Sequence, residues 1–179
     1  MEATELIDSK KIGAYTLYKS SERDFYSART ILLTYIALLT GIKENFQGDS
    51  EGVIKKIGKK FDDYVRFPIG SDFPEEVTRP AEKGVYRPVL EYYADRYTYM
   101  DYIINKDVEV EAIFESDNKV IYKLYNAKYL NEIEGFYLHF YVVAGIFETV
   151  LERVIGKKIE CSINRVENQE VDLLIEVKV

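Results

Sequence analysis

The spacing of apolar residues along this chain changes from a helical period to a strand period and back again. Up to Lys106 they recur every three or four residues, which predicts amphipathic helices. From Val108 they alternate with polar residues, which predicts half-buried strands. The helical period returns at Asn131, and alternation resumes after Gly156. This order predicts an α+β fold, with an antiparallel sheet of two hairpins, a long buried helix and an N-terminal helical layer.

Three helices are predicted before the first change of period, over residues 21–41, 49–67 and 88–105. Ser21, followed three residues later by Asp24, is a capping box that predicts the start of the first helix, and Gly41 is typical of a helix end. Asp49 or Ser50 caps the second helix, and Pro88 suits the first turn of the third. Residues 10–18 fit a short extended arm.

All four prolines of the chain lie between residues 68 and 88, together with two glycines. This composition predicts a long ordered loop or lid within one domain, because neither flank is large enough to fold well alone. We therefore predict a single ligand-binding-type domain over residues 1–179. Its N-terminal helical part covers about 1–105, and its sheet-plus-helix part covers about 106–179.

Two predicted hairpins frame the longest predicted helix. The first hairpin covers residues 108–124, with a turn at Ser116-Asp117-Asn118, and the second covers residues 159–179. Between them, a helix runs from Glu132 to Ile155 and is closed by Gly156. This helix is apolar nearly all round its middle, which is typical of a buried central helix.

The charge and cysteine counts exclude several classes of protein. The 179 residues contain 24 Lys plus Arg against 31 Asp plus Glu, a net charge of −7, which argues against nucleic-acid binding. One cysteine excludes a disulfide framework, and one histidine excludes a His-pair metal site. No signal peptide or membrane span is evident, so we expect a cytoplasmic protein. We also expect no cofactor.

The polar residues suited to catalysis or ligation are few. We interpret His139 as a packed or interface histidine, with an axial heme ligand or a proton carrier as the alternatives. Cys161 is expected to be a small buried hydrophobe with a raised thiol pKa. The acidic face of Glu109, Glu111 and Glu115 is interpreted as solvated, with cation binding as the alternative. No metal ligands are assigned.

The C-terminal half resembles the 4-vinyl reductase domain family. The matching stretches are GFYLHFYVVAGIFETVLERVIGKKIEC and VDLLIEV, and VIKKIGKKFDDYV upstream is similar to the second helix of that family. The related fold occurs in dimeric TRAPP vesicle-tethering subunits and, more distantly, in heme-based nitric-oxide sensors. The resemblance implies a domain that holds a small hydrocarbon-like molecule against the long helix.

Two departures from the related families limit what the resemblance implies. Only Cys161 matches the cysteines of the family, which argues against a zinc site. The tyrosine-serine-arginine signature of the heme sensors is absent, which argues against heme. The family name implies a reductase, but the chain has no nicotinamide or flavin fingerprint.

We therefore predict a non-catalytic binding or sensor domain for a small apolar ligand, acting as a homodimer. The alternatives are a dimeric interaction scaffold without a ligand, and a reductase whose cofactor site the sequence does not reveal. We expect Gly145 to leave space beside the long helix, or else to admit another helix. The predicted ligand-binding residues are Tyr93, Tyr97, Met100, Phe136, Phe140, Tyr141, Ala144, Gly145, Phe147 and Cys161.

Overall fold

The computed structural model of the protein describes the backbone of residues 20–64, 73–100 and 108–178. Side chains are described within residues 29–60, 73–97 and 108–178. The chain divides into two compact units, Met1–Tyr35 and Ile36–Val179. The sheet and every helix after the first belong to the second unit. The predicted arm at residues 10–18 lies outside the described residues.

Six α-helices are described in these ranges. They are α1 (Ser20–Asn45), α2 (Ser50–Tyr64), α3 (Glu75–Glu82), α4 (Arg87–Met100), α5 (Tyr129–Glu132) and α6 (His139–Ile155). The predicted start of the second helix is confirmed, because the backbone N–H of Gly52 donates to Asp49 Oδ1 over 2.8 Å. Pro88 lies in the first turn of α4, also as predicted. No helix among the described residues is long and apolar enough to span a bilayer.

The predicted end of the first helix at Gly41 is wrong. Helix α1 continues to Asn45, whose side-chain amide donates to the Gly41 carbonyl over 2.9 Å. One glycine inside a helix costs only about 1 kcal/mol. The helix continues because its apolar pattern runs on to Ile42, beyond the glycine.

The predicted loop at residues 68–88 is also wrong over the stretch that forms α3. Pro74 is the extended residue before this helix, and Glu75 and Glu76 supply its acidic first turn. Pro80 lies inside α3, which ends two residues later at Glu82. Residues 68–72 of the predicted loop lie outside the described residues.

The long helix starts later than predicted. Instead of one helix from Glu132, the chain forms α5, a 3₁₀ turn at Phe136–Leu138 and then α6 from His139. Gly135 causes the interruption, since its φ of 80° lies in the left-handed region. A Cβ atom at Gly135 would lie 2.6 Å from Thr40 Oγ1, so this position also admits a close neighbour. Gly156 ends α6 with φ 71°, as predicted.

Four strands lie within the described ranges, and they form one antiparallel sheet in the order β1-β2-β4-β3. They are β1 (Glu109–Ser116), β2 (Lys119–Tyr125), β3 (Ile159–Glu167) and β4 (Glu170–Val177). Both predicted hairpins are present, and they join where Tyr122 of β2 pairs with Leu173 of β4. The last strand therefore lies inside the sheet, and β3 forms one of its edges.

The core lies on one face of this sheet. Alternate residues of the two central strands are buried: Val120, Tyr122, Leu124, Val171, Leu173, Ile175 and Val177. Helix α6 packs against this face, where the Phe147 ring contacts the Tyr122 ring. The predicted α+β class, with a long buried helix on an antiparallel sheet, is confirmed.

Candidate functional site

Helix α6 presents two different faces to its neighbours. Phe140, Ala144 and Phe147 share one face, because they are three or four residues apart. Tyr141, Gly145 and Glu148 share a second face by the same spacing. The first face is apolar and meets aromatic rings, whereas the second meets α2 and carries a carboxylate.

A cluster of four rings, the Phe147 cluster, forms on the first face. The Phe147 ring centroid lies 5.0 Å from that of Tyr93, 5.0 Å from that of Tyr97 and 5.7 Å from that of Tyr122. All three contacts are edge-to-face, the arrangement that aromatic quadrupoles favour. The structure thus brings together three of the predicted ligand-binding residues, Tyr93, Tyr97 and Phe147.

Tyr122 gives this cluster a polar group that the sequence analysis did not assign to a site. Its hydroxyl donates to the carbonyl of Leu90 in α4. Burial raises the pKa of the Tyr122 hydroxyl well above its usual range, so this group stays protonated. The hydrogen bond therefore links β2 to α4 directly beneath the rings.

His139 lies between two phenyl rings at the start of α6. Its ring centroid is 5.4 Å from that of Phe136 and 5.4 Å from that of Phe140, and its side chain is 4% exposed. The interpretation of His139 as a packed histidine is confirmed. Phe136 and Phe140 also contact each other, with centroids 5.8 Å apart. These two predicted ligand-binding residues are therefore ring neighbours of the histidine.

Tyr141 belongs to a polar network on the other face of α6. Its hydroxyl donates to the carboxylate of Glu51 in α2, which is also 2.5 Å from Lys43 Nζ of α1. Burial and the bond to Glu51 raise the pKa of Tyr141. The Lys43 ammonium and the Tyr141 hydroxyl lower the pKa of Glu51. Tyr141 thus takes part in a contact between α6 and α2. The side chain of Met100, another predicted ligand-binding residue, lies outside the described residues.

The space that was expected beside Gly145 is occupied by α2. A Cβ atom at Gly145 would overlap the Lys55 carbonyl oxygen and lie 2.8 Å from the Lys59 nitrogen. A Cβ atom at Gly58 would overlap the Val142 carbonyl oxygen in the same way. The two glycines therefore let the backbones of α2 and α6 touch, which is the alternative that the sequence analysis left open. Ala144, on the ring-bearing face, is buried.

A pocket of about 390 Å³, called here the β3 pocket, lies where α2 and α6 meet the edge of the sheet. Cys161 is the predicted ligand-binding residue among those that line it. The lining residues are Gly52, Lys55, Lys56, Lys59, Glu148, Lys158, Ile159, Glu160, Cys161, Ser162, Leu174 and Glu176.

Glu148 lies at the inner end of the β3 pocket and is only 2% exposed. Its carboxylate forms ion pairs with Lys55 and with Lys59, the latter at 2.5 Å, and accepts the Cys161 backbone N–H over 2.8 Å. Lys55 also donates to the Cys161 carbonyl over 2.5 Å. The hydrogen bond to Glu148 raises the pKa of Lys59. This cluster satisfies a carboxylate that would otherwise be costly to bury.

The Cys161 thiol is a poor nucleophile. The residue is 1% exposed, and burial raises the pKa of its thiol well above its usual range despite the nearby Lys55. The expectation of a small buried hydrophobe is confirmed. Among the described residues, no three His, Cys, Asp or Glu side chains are placed to hold a metal ion.

The sequence analysis missed the ion cluster around Glu148. It interpreted the lysines of the second helix as a solvated face, although Lys55 and Lys59 point to a buried acid. The available signal was Glu148 itself. A carboxylate in the middle of a helix that is apolar on most sides needs a cationic partner from another element.

Comparisons with known proteins gave structural matches alone. No protein-family model matches the chain, and no curated protein sequence matches it. It is similar to the Fe(II) unliganded H-NOX protein from K. algicida, with 13% identity, 79% of this chain and 70% of that chain covered, and a TM-score of 0.47. An H-NOX protein studied for heme distortion and an oxygen-binding H-NOX domain related to soluble guanylate cyclases each match at 8% identity. Each of these two matches covers 73% of this chain and 63% of the matched chain, with TM-scores of 0.42 and 0.41.

Similarity of this degree does not define a ligand or an activity for this chain. These three matches are to H-NOX proteins and not to a 4-vinyl reductase domain. The expectation that the chain holds no heme stays a prediction. The resemblance to 4-vinyl reductase domains stays a prediction.

Proposed function

We propose that this chain is a non-catalytic binding or sensor domain for a small, largely apolar ligand, and that it acts as a homodimer. The ligand site is the Phe147 cluster, between α4 and α6. The observation that carries the proposal is the convergence of three tyrosine rings on one phenylalanine, with centroid distances of 5.0, 5.0 and 5.7 Å. Rings supply apolar area, and tyrosine hydroxyls orient a polar end.

A ligand that enters the Phe147 cluster must displace rings that contact one another. An edge-to-face pair contributes about 0.5–1.5 kcal/mol beyond its buried area. A benzene-sized ligand that buries about 150 Å² gains roughly 4 kcal/mol. Displacing a ring also costs the area that the ring buries, so a ligand binds there only if its own burial offsets both costs.

Toluene is a suitable probe, and the tyrosine rings report on its position. We expect saturable shifts of the Tyr93, Tyr97 and Phe147 ring signals in NMR spectra of the whole chain. Tyr125 is the matched control, because its hydroxyl bonds Glu111 on the opposite face of the sheet. Shifts that include Tyr125 equally, or no saturable shift, would contradict the proposal.

A substitution on the same helix face provides a second test. Ala144→Leu adds bulk beside Phe147, and we expect it to abolish toluene binding while the circular dichroism spectrum stays helical. Overpacking costs about 1–3 kcal/mol, so the variant is measured below its own unfolding temperature. Ala127→Leu, at a buried residue whose backbone N–H donates to the Gln169 carbonyl at the β3–β4 turn, is the control, and it should bind toluene like the unsubstituted chain.

A dimeric scaffold without a ligand is the second candidate. The direct contact of rings around Phe147 favours it, because the cluster is already closed without a guest. The two candidates differ in one result. The scaffold requires a dimer that binds no toluene, whereas the binding domain requires a dimer that does bind toluene.

The proposed dimer uses the solvent-facing side of α1. Leu38 is 65% exposed, and Phe46, eight residues on, is 47% exposed. Ile42 lies between them at helical spacing, and the sequence from Thr30 to Ile42 contains no charged residue. An apolar stripe of this kind is suited to a second copy, because pairing of two uncharged faces avoids the repulsion of two acidic chains.

A further inference from the structure

We propose that the β3 pocket binds a small organic anion that has one charged group and a short apolar body. The site is separate from the Phe147 cluster and does not depend on the function proposed above. It lies on the α2 side of α6, whereas the ring cluster lies on the α4 side.

The lining of the β3 pocket carries more cations than anions. Four lysines and three glutamates line it, in a chain whose net charge is −7. A fourth carboxylate, that of Glu152, lies nearby and accepts the Ile159 backbone N–H over 3.1 Å. A fifth ammonium, Lys178, stands beside the rim. The region is therefore cationic on balance, against the charge of the whole molecule.

The carboxylates of the pocket already have partners. Glu148 is held by Lys55, Lys59 and the Cys161 N–H. At the rim, Lys178 Nζ lies 2.8 Å from both Glu160 and Glu176. These acids are consequently poor acceptors for a cationic ligand. Because Lys55, Lys59 and Lys178 are their partners, the other lysines of the pocket are available to an anion.

Lys56 and Lys158 are the lysines that remain for a ligand. Lys56 is exposed on α2 and forms no ion pair with any residue that the structure describes. Lys158 approaches Glu160 only to 3.9 Å. The two side chains enter the pocket from α2 and from the start of β3, so an anion between them meets two ammonium groups.

The size and the remaining lining define the body of the ligand. A volume of about 390 Å³ lies at the small end of the range of ligand pockets, about 300–1,000 Å³. Ile159 and Leu174 add apolar surface beside the lysines. A carboxylate or phosphate ester with a short alkyl or aryl group satisfies both features, whereas a polyanion such as a nucleic acid exceeds the site.

Calorimetric titration of the whole chain with hexanoate tests the site. Hexanol has the same apolar body without the charge, and inorganic phosphate has charge without the apolar body. We expect hexanoate to bind with millimolar or better affinity and to bind more tightly than either control. A double variant, Lys56→Gln with Lys158→Gln, should weaken hexanoate binding about tenfold, as expected for the loss of two partly solvated ion pairs.

Two neighbouring lysines outside the pocket provide the matched control. Lys60 and Lys157 are also exposed, and neither lines the pocket. The variant Lys60→Gln with Lys157→Gln removes the same charge and should leave hexanoate binding unchanged. Equal loss in both double variants, equal binding of hexanol and hexanoate, or no saturable heat with hexanoate would each overturn the proposal. A failure of the chain to bind toluene would contradict the function proposed for the Phe147 cluster and would leave the proposal for the β3 pocket unaffected.

Discussion

Gly58 and Gly145 are the residues that set the distance between α2 and α6. A Cβ atom at either position would overlap a backbone carbonyl of the opposite helix, and backbone cannot rotate away as a long side chain can. Nothing described lies within 4 Å of a Cβ atom at Gly41, also inside a helix. A larger residue would therefore push α2 and α6 apart at Gly58 or Gly145, whereas Gly41 has room for a side chain.

This difference gives a prediction on stability. Gly145→Ala and Gly58→Ala should each lower the free energy of unfolding by at least about 2 kcal/mol, because the helices must separate. Gly41→Ala should raise it by up to about 1 kcal/mol, because alanine is the better helix former. Denaturant titrations of the three variants measure these changes.

A neutral Gly145→Ala variant would show that the helices do not touch there. The Gly41→Ala variant controls for the general effect of alanine on helix propensity. Gly145→Leu cannot serve to fill a ligand cavity, since its side chain would meet the α2 backbone before any ligand.

At the residue scale, the sequence predicted burial better than it predicted partners. Cys161 and His139 are packed as expected, because their neighbours in sequence are apolar or alternate strictly. For Gly145, the sequence allowed either an open space or a close helix. Only the position of α2, fixed by contacts distant in sequence, decides between the two.

The edge of β3 is closed by side chains in place of another strand. Glu152 accepts the Ile159 N–H, Glu148 accepts the Cys161 N–H, and Lys55 donates to the Cys161 carbonyl. The pairing register of β3 with β4 also shifts between Ile163 and Arg165. Both features protect an edge strand from pairing with another chain.

Hydrogen exchange should reveal this closure. In the unsubstituted chain, we expect the Cys161 amide to exchange slowly although it lies on an edge strand. Glu148→Ala should speed its exchange and lower the free energy of unfolding by about 1–3 kcal/mol, because a buried donor loses its acceptor. Glu160→Ala is the control on the same strand, since that side chain pairs with Lys178 at the surface. Fast exchange at Cys161 before any substitution would argue against the closure.

At the scale of elements, strict alternation made the strands predictable, and local exceptions limited the helices. Both hairpins were predicted, because apolar residues alternate with polar ones in the sequence, and buried residues alternate with less buried ones along β2 and β4. The break at Gly135 was not, since a glycine in an apolar stretch also fits a continuous helix. Helix α3 was hidden by its prolines, of which Pro74 precedes the helix and Pro80 lies near its end.

At the scale of the whole molecule, the proposed dimer joins two acidic chains through an uncharged helix face. Leu38→Glu introduces a charge at a residue that is 65% exposed, so it should leave the fold intact and convert the dimer to a monomer. Sedimentation velocity at micromolar concentration measures the change. Ile113→Glu, at an exposed apolar residue of β1, is the control that should remain dimeric. A monomeric unsubstituted chain would contradict the proposed dimer.

The candidate sites were predictable only where one element determines them. The ring stripe of α4 and the apolar face of α6 were assigned from periodicity, and their contact at Phe147 follows from both. The β3 pocket draws its residues from α2, α6, β3 and β4. No local sequence pattern predicts that these four elements lie together, since their arrangement depends on strand order and on the close contact of Gly58 with α6.

The strand order also has a consequence for the newly made chain. Because β4 lies between β2 and β3, β2 lacks its second neighbour and β3 lacks its partner strand until residues 170–177 have left the ribosome. Until then, β2 pairs with β1 alone, and the buried face of α6 has only part of its sheet to cover it. The sheet is thus completed only after β4 is translated, and an arrested chain that stops before residue 170 exposes the apolar surface that chaperones bind.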